Sequence, residues 1–160
     1  MNDIETIDIY EEGFARQARR SFWAFRQYIH GRKFKPSWWQ RDLAHKLQQF
    51  YEDYKAGLRP VLLVEAPPQH GKSMAITDFI AWLSGKDPEI STIYASFSDR
   101  LGTRANSALK RIYDGPRFKR VFPEFEIPEG FGDRRGLRNA TAIEYLDKSG
   151  VVTGGGFRNT

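Results

Sequence analysis

The segment Ala66-Pro-Pro-Gln-His-Gly-Lys-Ser73 holds the residue types that bind a nucleoside triphosphate. Phosphates need a concave row of main-chain N–H donors at a helix start, where the helix dipole also favours negative charge. Gly71 lets the main chain come close to the ligand. Lys72 would reach the β- and γ-phosphates, and Ser73 would hold Mg²⁺ through its hydroxyl. Pro67 and Pro68 have no N–H, so the donors run from Gln69 onward, through His70, Gly71, Lys72 and Ser73 to Met74. The two prolines also stiffen the loop and lower the cost of ordering it. The usual form of this loop opens on glycine, whereas this one opens on Ala66. The pattern [AG]-x-x-x-x-G-K-[ST] arises by chance in about 1% of chains this long, given average residue usage. Context decides the matter, because a phosphate loop must join a strand to a helix.

Both flanks have that character. Val61-Leu-Leu-Val-Glu65 is a short apolar run of the kind that forms a buried parallel strand. Ser73 to Ser84 has helical spacing with Ile76, Ile80 and Leu83 inward; Gly85 stands where a helix ends, and Pro88 follows. Thr92–Phe97 is predicted as the next strand. Ser98 or Asp99 then caps a helix with Leu101, Ala105, Leu109 and Ile112 on one face, stopped by Gly115-Pro116. Strand, helix, strand, helix is the βαβ order of an open parallel sheet. Upstream, Phe14, Ala18, Phe22, Phe25 and Ile29 predict one helix over 11–30, with Arg16, Arg19, Arg20 and Arg26 turned away. A second helix is predicted over 38–55, with Ser37 as N-cap and Gln40 completing a capping box. Residues 122–140 read as loop, 142–146 and 151–153 as a hairpin around Asp147-Lys-Ser-Gly150, and Gly154-Gly-Gly156 as the start of another loop.

Composition narrows the function classes. The chain has 160 residues, 40% of them apolar, which is enough for a core. It has no cysteine, which excludes a disulfide scaffold and thiolate zinc sites, and its 3 histidines are scattered. The acidic start has no apolar core of a secretory signal, and no apolar run is long enough to span a bilayer. A soluble intracellular protein is expected. The net charge is +5 and the isoelectric point near 9.5. Arg100, Arg104, Lys110, Arg111, Arg117, Lys119 and Arg120, set against Asp99 and Asp114, account for all of that charge. Such a stretch suits an anionic partner such as nucleic acid, or forms a solvated helix face.

Other positions carry two readings each. Trp39 can stack on adenine and Gln40 can pair with its edge, or Gln40 closes the capping box and the tryptophans belong to a core. Gln69 can contact or sense the γ-phosphate, or face solvent. Arg100 or Arg104 can serve as a finger on a neighbouring subunit's nucleotide, and Arg134, Arg135 and Arg138 can meet DNA phosphates; each is otherwise a surface arginine. Asp147 is better placed as the first residue of a turn than as an acid supporting Mg²⁺.

Taken together, these residues resemble the start of the ATPase domain of phage DNA-packaging terminase large subunits. The likeness is carried by Pro67-Pro-Gln-His-Gly-Lys-Ser73, Trp82-Leu-Ser-Gly-Lys-Asp-Pro88, Ile93-Tyr-Ala-Ser-Phe97, the helix holding Arg104, Arg117-Phe-Lys-Arg-Val-Phe-Pro123 and the stretch Gly150–Arg158. Trp39-Gln40-Arg41 occupies the place of the family's adenine motif. The resemblance runs from about residue 36 to 160. It implies an α/β P-loop NTPase domain of the ASCE type, its parallel sheet flanked by helices, with an N-terminal helical segment over 1–36 and a partial ATPase domain over 37–160. It implies ATP and Mg²⁺ as cofactors, with Lys72 and Gln69 in catalysis and Trp39, Gln40, Gln69, His70, Gly71, Lys72, Ser73 and Met74 around the nucleotide. The implied activity is an ATP-driven motor in the host cytoplasm that threads double-stranded DNA into a procapsid, as a ring on the portal, with a small terminase subunit as partner. The alternatives are a module that holds nucleotide or DNA without turnover, and another P-loop enzyme of helicase-like type. The sequence departs from the family at Gln69, where arginine is frequent, and residues 1–160 include neither the acidic second ATPase motif nor the nuclease domain. In the family that acidic strand lies beside the phosphate-loop strand. Without it, residues 61–65 are expected to form an unpaired apolar edge.

Overall fold

Ser21 sets the course of the N-terminal region. In the computed structural model, which describes residues 3–35, 37–129, 136–147 and 149–160, the single helix predicted over 11–30 is two: α1 (Asp3–Arg20) and α2 (Phe22–His30). Ser21 is extended (φ −119°, ψ 121°), and its Oγ accepts the Ala24 N–H at 3.3 Å as the N-cap of α2. Gln48 closes the break: its Oε1 accepts the Phe22 N–H at 2.9 Å. The turn moves Phe14 off the predicted inner face and leaves it 56% exposed, while Ala15 and Ala18 are buried. Helix α3 (Trp38–Lys55) matches its predicted span, capped by Ser37, whose Oγ accepts the Gln40 N–H.

Helix α4 (Lys72–Lys86) follows the loop at 66–71. It does not end at Gly85 as predicted. The Asp87 N–H still donates to Leu83 O, and the Phe122 ring closes onto the helix where Gly85 has no side chain. The chain divides into two units, Met1–Phe79 and Ile80–Thr160, with the boundary inside α4. The first unit is helical, and its core gathers Phe22, Phe25, Leu43, Leu47, Tyr51, Ala75 and Phe79. Phe22 meets Phe79 edge-on at 5.2 Å.

The strand predicted at 61–65 does not form: these residues belong to no strand, and Val61 and Leu63 are 94% and 81% exposed. An apolar run of this type becomes a strand only when a neighbouring segment satisfies its backbone groups, and no described segment pairs with it.

The second unit holds β1 (Ser91–Tyr94), α5 (Asp99–Tyr113), α6 (Pro116–Val121), β2 (Ala142–Leu146) and β3 (Val152–Asn159). The sheet order is β1-β3-β2, with β1 parallel to β3 and β2 antiparallel to it, so the sheet is mixed rather than all-parallel. The predicted hairpin forms between β2 and β3, and Asp147 serves its turn. Its Oδ1 accepts from Ser149 N, Ser149 Oγ and Val151 N, and these bonds hold the carboxyl below its ordinary range. β1 stops three residues short of the predicted end at Phe97, which is 95% exposed. α6 begins within the predicted stop, at Pro116 itself.

The loop expected from Gly154 is instead the middle of β3. Sequence propensity misses it because glycines are poor strand formers, but here they admit a close backbone crossing. A Cβ on Gly155 would stand 2.0 Å from Pro88 O and 2.7 Å from the Glu89 carbonyl carbon. Gly155→Ala is therefore expected to destabilise the chain by about 3 kcal/mol, read as a lowered midpoint in denaturant unfolding.

Three hydroxyls form a buried chain behind the sheet. Ser84 Oγ lies 3.0 Å from Tyr113 OH, which lies 3.2 Å from Tyr145 OH. Burial pushes the Tyr145 phenol up to about 12 and raises Tyr113 well above its ordinary value. Both folded values exceed the unfolded one, so their contribution is complete below about pH 10 and lost as pH rises toward 12 and beyond. Urea midpoints are expected to fall through that window, and Tyr145→Phe to flatten the fall.

Candidate phosphate-binding site

Trp39 and Gln40 sit in the first turn of α3, and residues 66–71 lead into the first turn of α4. The first unit brings the two segments together. Trp39 meets the His70 ring edge-on, with centroids 6.3 Å apart. The Gln40 amide lies against Gly71: its Nε2 is 3.1 Å from where a Cβ on that glycine would stand. Ser37 and Gln40 make only the forward bond of a capping box, from Gln40 N–H to Ser37 Oγ. The Gln40 side chain is turned to the loop, with Oε1 buried and without a hydrogen-bond partner. Trp38, beside it, is 81% exposed.

The loop has a distinctive main chain. Gln69 has φ 63° and Gly71 φ 77°, both in the left-handed region. Glycine adopts that region freely, but Gln69 is the single non-glycine residue to do so among the described residues. His70 Nδ1–H donates to Pro68 O at 2.9 Å, which pins the imidazole across the turn. The Lys72 ammonium donates to Ala66 O and, at 2.9 Å, to Pro67 O. The lysine thus bends back over the loop that precedes it and ties its first two carbonyls together.

Ala75 N–H is the first in α4 to reach a carbonyl, that of Gly71, at 2.9 Å. The N–H groups of residues 69–74 meet no acceptor among the described residues. Ser73 and Met74 are exposed, as are Gln69 and His70. A run of unclaimed N–H groups beside an ammonium, at the positive end of a fifteen-residue helix, is an anion-binding arrangement. The Ser73 hydroxyl is the one group there suited to a hard cation, as a neutral oxygen ligand supplementing phosphate oxygens. Among the described residues no three His, Asp or Glu side chains gather as a metal-binding group.

Sequence reading missed what anchors the loop helix from behind. Arg26 was expected on the outer face of its helix but is fully buried, because Asp78 of α4 faces it: Arg26 Nε donates to Asp78 Oδ2 at 2.9 Å. His30 Nε2 stands 3.0 Å from both Asp78 oxygens. The Arg26 guanidinium lies over the Phe34 ring, 4.9 Å from its centroid, and Nη1 and Nη2 have no hydrogen-bond partner. The signal was present: Asp78 is a lone acid within the apolar run Met74–Leu83, and such an acid needs a buried partner.

Of the remaining sites weighed, Arg134 and Arg135 lie outside the described residues. Arg138 is engaged, donating to Asp114 Oδ2 at 2.5 Å and to Pro128 O at 2.9 Å, so it does not stand free for phosphate. Arg100 and Arg104 lie exposed on α5. Among the described residues no helix is long and apolar enough to cross a membrane. Comparison with protein-family models, curated proteins and solved structures found no match.

Proposed function

We propose that this chain binds Mg-ATP through residues 66–74 and is the nucleotide-binding part of a P-loop ATPase of the terminase large-subunit kind. The observation that carries the reading is the set of unclaimed N–H groups of 69–74 beside the Lys72 ammonium. In this reading Lys72 transfers from the Ala66 and Pro67 carbonyls to the β- and γ-phosphates, and Ser73 takes one Mg²⁺ position. Gln69 faces the γ-phosphate and His70, Gly71 and Met74 line the phosphates, while Trp39 and Gln40 hold the adenine. The unpartnered Gln40 Oε1 supports that last assignment, since an adenine amino group would satisfy it. The polymer served is double-stranded DNA, packaged into a procapsid in the host cytoplasm. The portal, a small terminase subunit and further copies of the chain are the partners that the resemblance implies.

Asp147 has its carboxylate committed to a turn, and no other acid is assigned to activate water. The second reading is a module that holds nucleotide without turnover. Calorimetric titration with ATP, ADP and AMP, with and without Mg²⁺, tests the shared premise. Binding of ATP and ADP but not AMP, strengthened by Mg²⁺, is expected; no binding of ATP at millimolar concentration overturns it. Phosphate release with and without duplex DNA then separates the motor part from the module.

A further inference from the structure

Helix α5 is strongly two-faced. Gly102, Ala105, Asn106, Leu109 and Tyr113 are buried, while Arg100, Thr103, Arg104, Ser107 and Arg111 are exposed. Arg100, Arg104, Ser107 and Arg111 follow at intervals of four, three and four residues, which places them in one stripe along the helix. From Arg100 to Arg111 the stripe is about 16 Å long at the helical rise. Arg100 and Arg104 have no ion-pair partner among the described residues, and Arg111 donates only to its own helix, from Nε to Ser107 O. The flanking acids do not neutralise the stripe: Asp99 is at the helix start, and Asp114, the C-cap, is held by Arg138. Three mobile surface lysines would make a poor case. Here three arginines stand at fixed intervals on a helix whose opposite face is packed into a core.

We infer that this stripe is a docking surface for duplex DNA, bound through its phosphates. Arg, Ser and Thr are phosphate donors, and the outer face has no Asn or Gln to read base edges, Asn106 being buried. Nor does it have an aromatic ring on which single-stranded bases could stack. The surface takes duplex through its phosphates, which carry no sequence information. It rests on the ATPase reading only for its role in a motor.

The test is fluorescence anisotropy of a labelled random-sequence duplex titrated with the full chain across a range of salt. Replacing Arg100, Arg104 and Arg111 together with alanine is expected to weaken binding about 100-fold at low salt and to reduce the salt slope by about 2.7, three phosphate contacts' worth. The triple lysine variant, which keeps the charge, is expected to stay within about threefold of wild type. Circular dichroism checks that both variants keep the helix. Wild-type affinity and slope in the alanine variant overturn the inference. So does preference for single strands over duplex, failure of the unaltered chain to bind duplex, or a lysine variant as weak as the alanine one. Lys72→Ala run alongside separates the two readings: retained DNA binding with no ATP binding in either protein would sink the ATPase and leave the stripe standing.

Discussion

Lys72→Ala is expected to weaken Mg-ATP binding by about 100-fold or more. Each charge-assisted hydrogen bond from the ammonium to a phosphate oxygen is worth about 1.5–3 kcal/mol, and two are lost. The same side chain ties Ala66 O and Pro67 O together. The variant should therefore also lose about 1 kcal/mol of stability without ligand. The two effects separate in one experiment, a thermal melt at rising nucleotide concentration. Wild type should gain stability with each tenfold step of Mg-ATP, while the variant starts slightly lower and stays flat. Lys72→Arg should recover the stability but not the affinity, since a planar guanidinium does not fit a loop shaped around a point charge. A variant that binds nucleotide like wild type would show that the ammonium faces the loop carbonyls and nothing else.

The second large effect lies behind the loop. Asp78→Ala should destabilise the chain by about 3–5 kcal/mol, a large share of what holds an ordinary domain together. The cost comes from what remains. Arg26 is at zero exposure, with two of its nitrogens already lacking partners, and loses the one carboxylate that its Nε meets. Replacing both residues at once, with Arg26→Met and Asp78→Leu, should restore most of that stability, because a buried pair exchanged for apolar groups is often neutral or better. Chemical denaturation of the two single variants and the double variant measures the coupling. If the double variant is no more stable than Asp78→Ala, the buried charge is not what destabilises it. Because α4 opens at Lys72, the Asp78→Ala chain should also bind nucleotide less tightly. The double variant should recover that affinity together with its stability.

How far the sequence could be read depends on whether a segment's determinants are local. The spans of α3 and α5 follow from 3.6-residue spacing, with the Ser37 cap as well in α3, and these act within a turn or two. The hairpin at 142–153 follows from an Asp-initiated turn between apolar runs. At 66–73 the helix that follows was legible from its spacing, while the strand predicted before the loop does not form. Determinants supplied from elsewhere in the chain were missed. Gln48 of α3 stabilises the break at Ser21, and Asp78 draws Arg26 inward from 52 residues away. The glycines of β3 read as loop because the crossing segment 88–90 that requires them is distant in sequence. Residues 61–65 show the converse. Their composition asks for a strand, but β pairing is a contract between two segments, and one alone forms no strand and leaves Val61 and Leu63 in water.

Gln69 carries a consequence for how this loop can vary. With φ at 63°, the position imposes a steric filter before any question of charge arises. Valine, isoleucine and threonine are barred by their branched Cβ, whereas glycine and asparagine pass easily. A saturation library at residue 69 would thus be sorted twice, first by which side chains tolerate the left-handed turn and only then by which of the survivors serve a ligand.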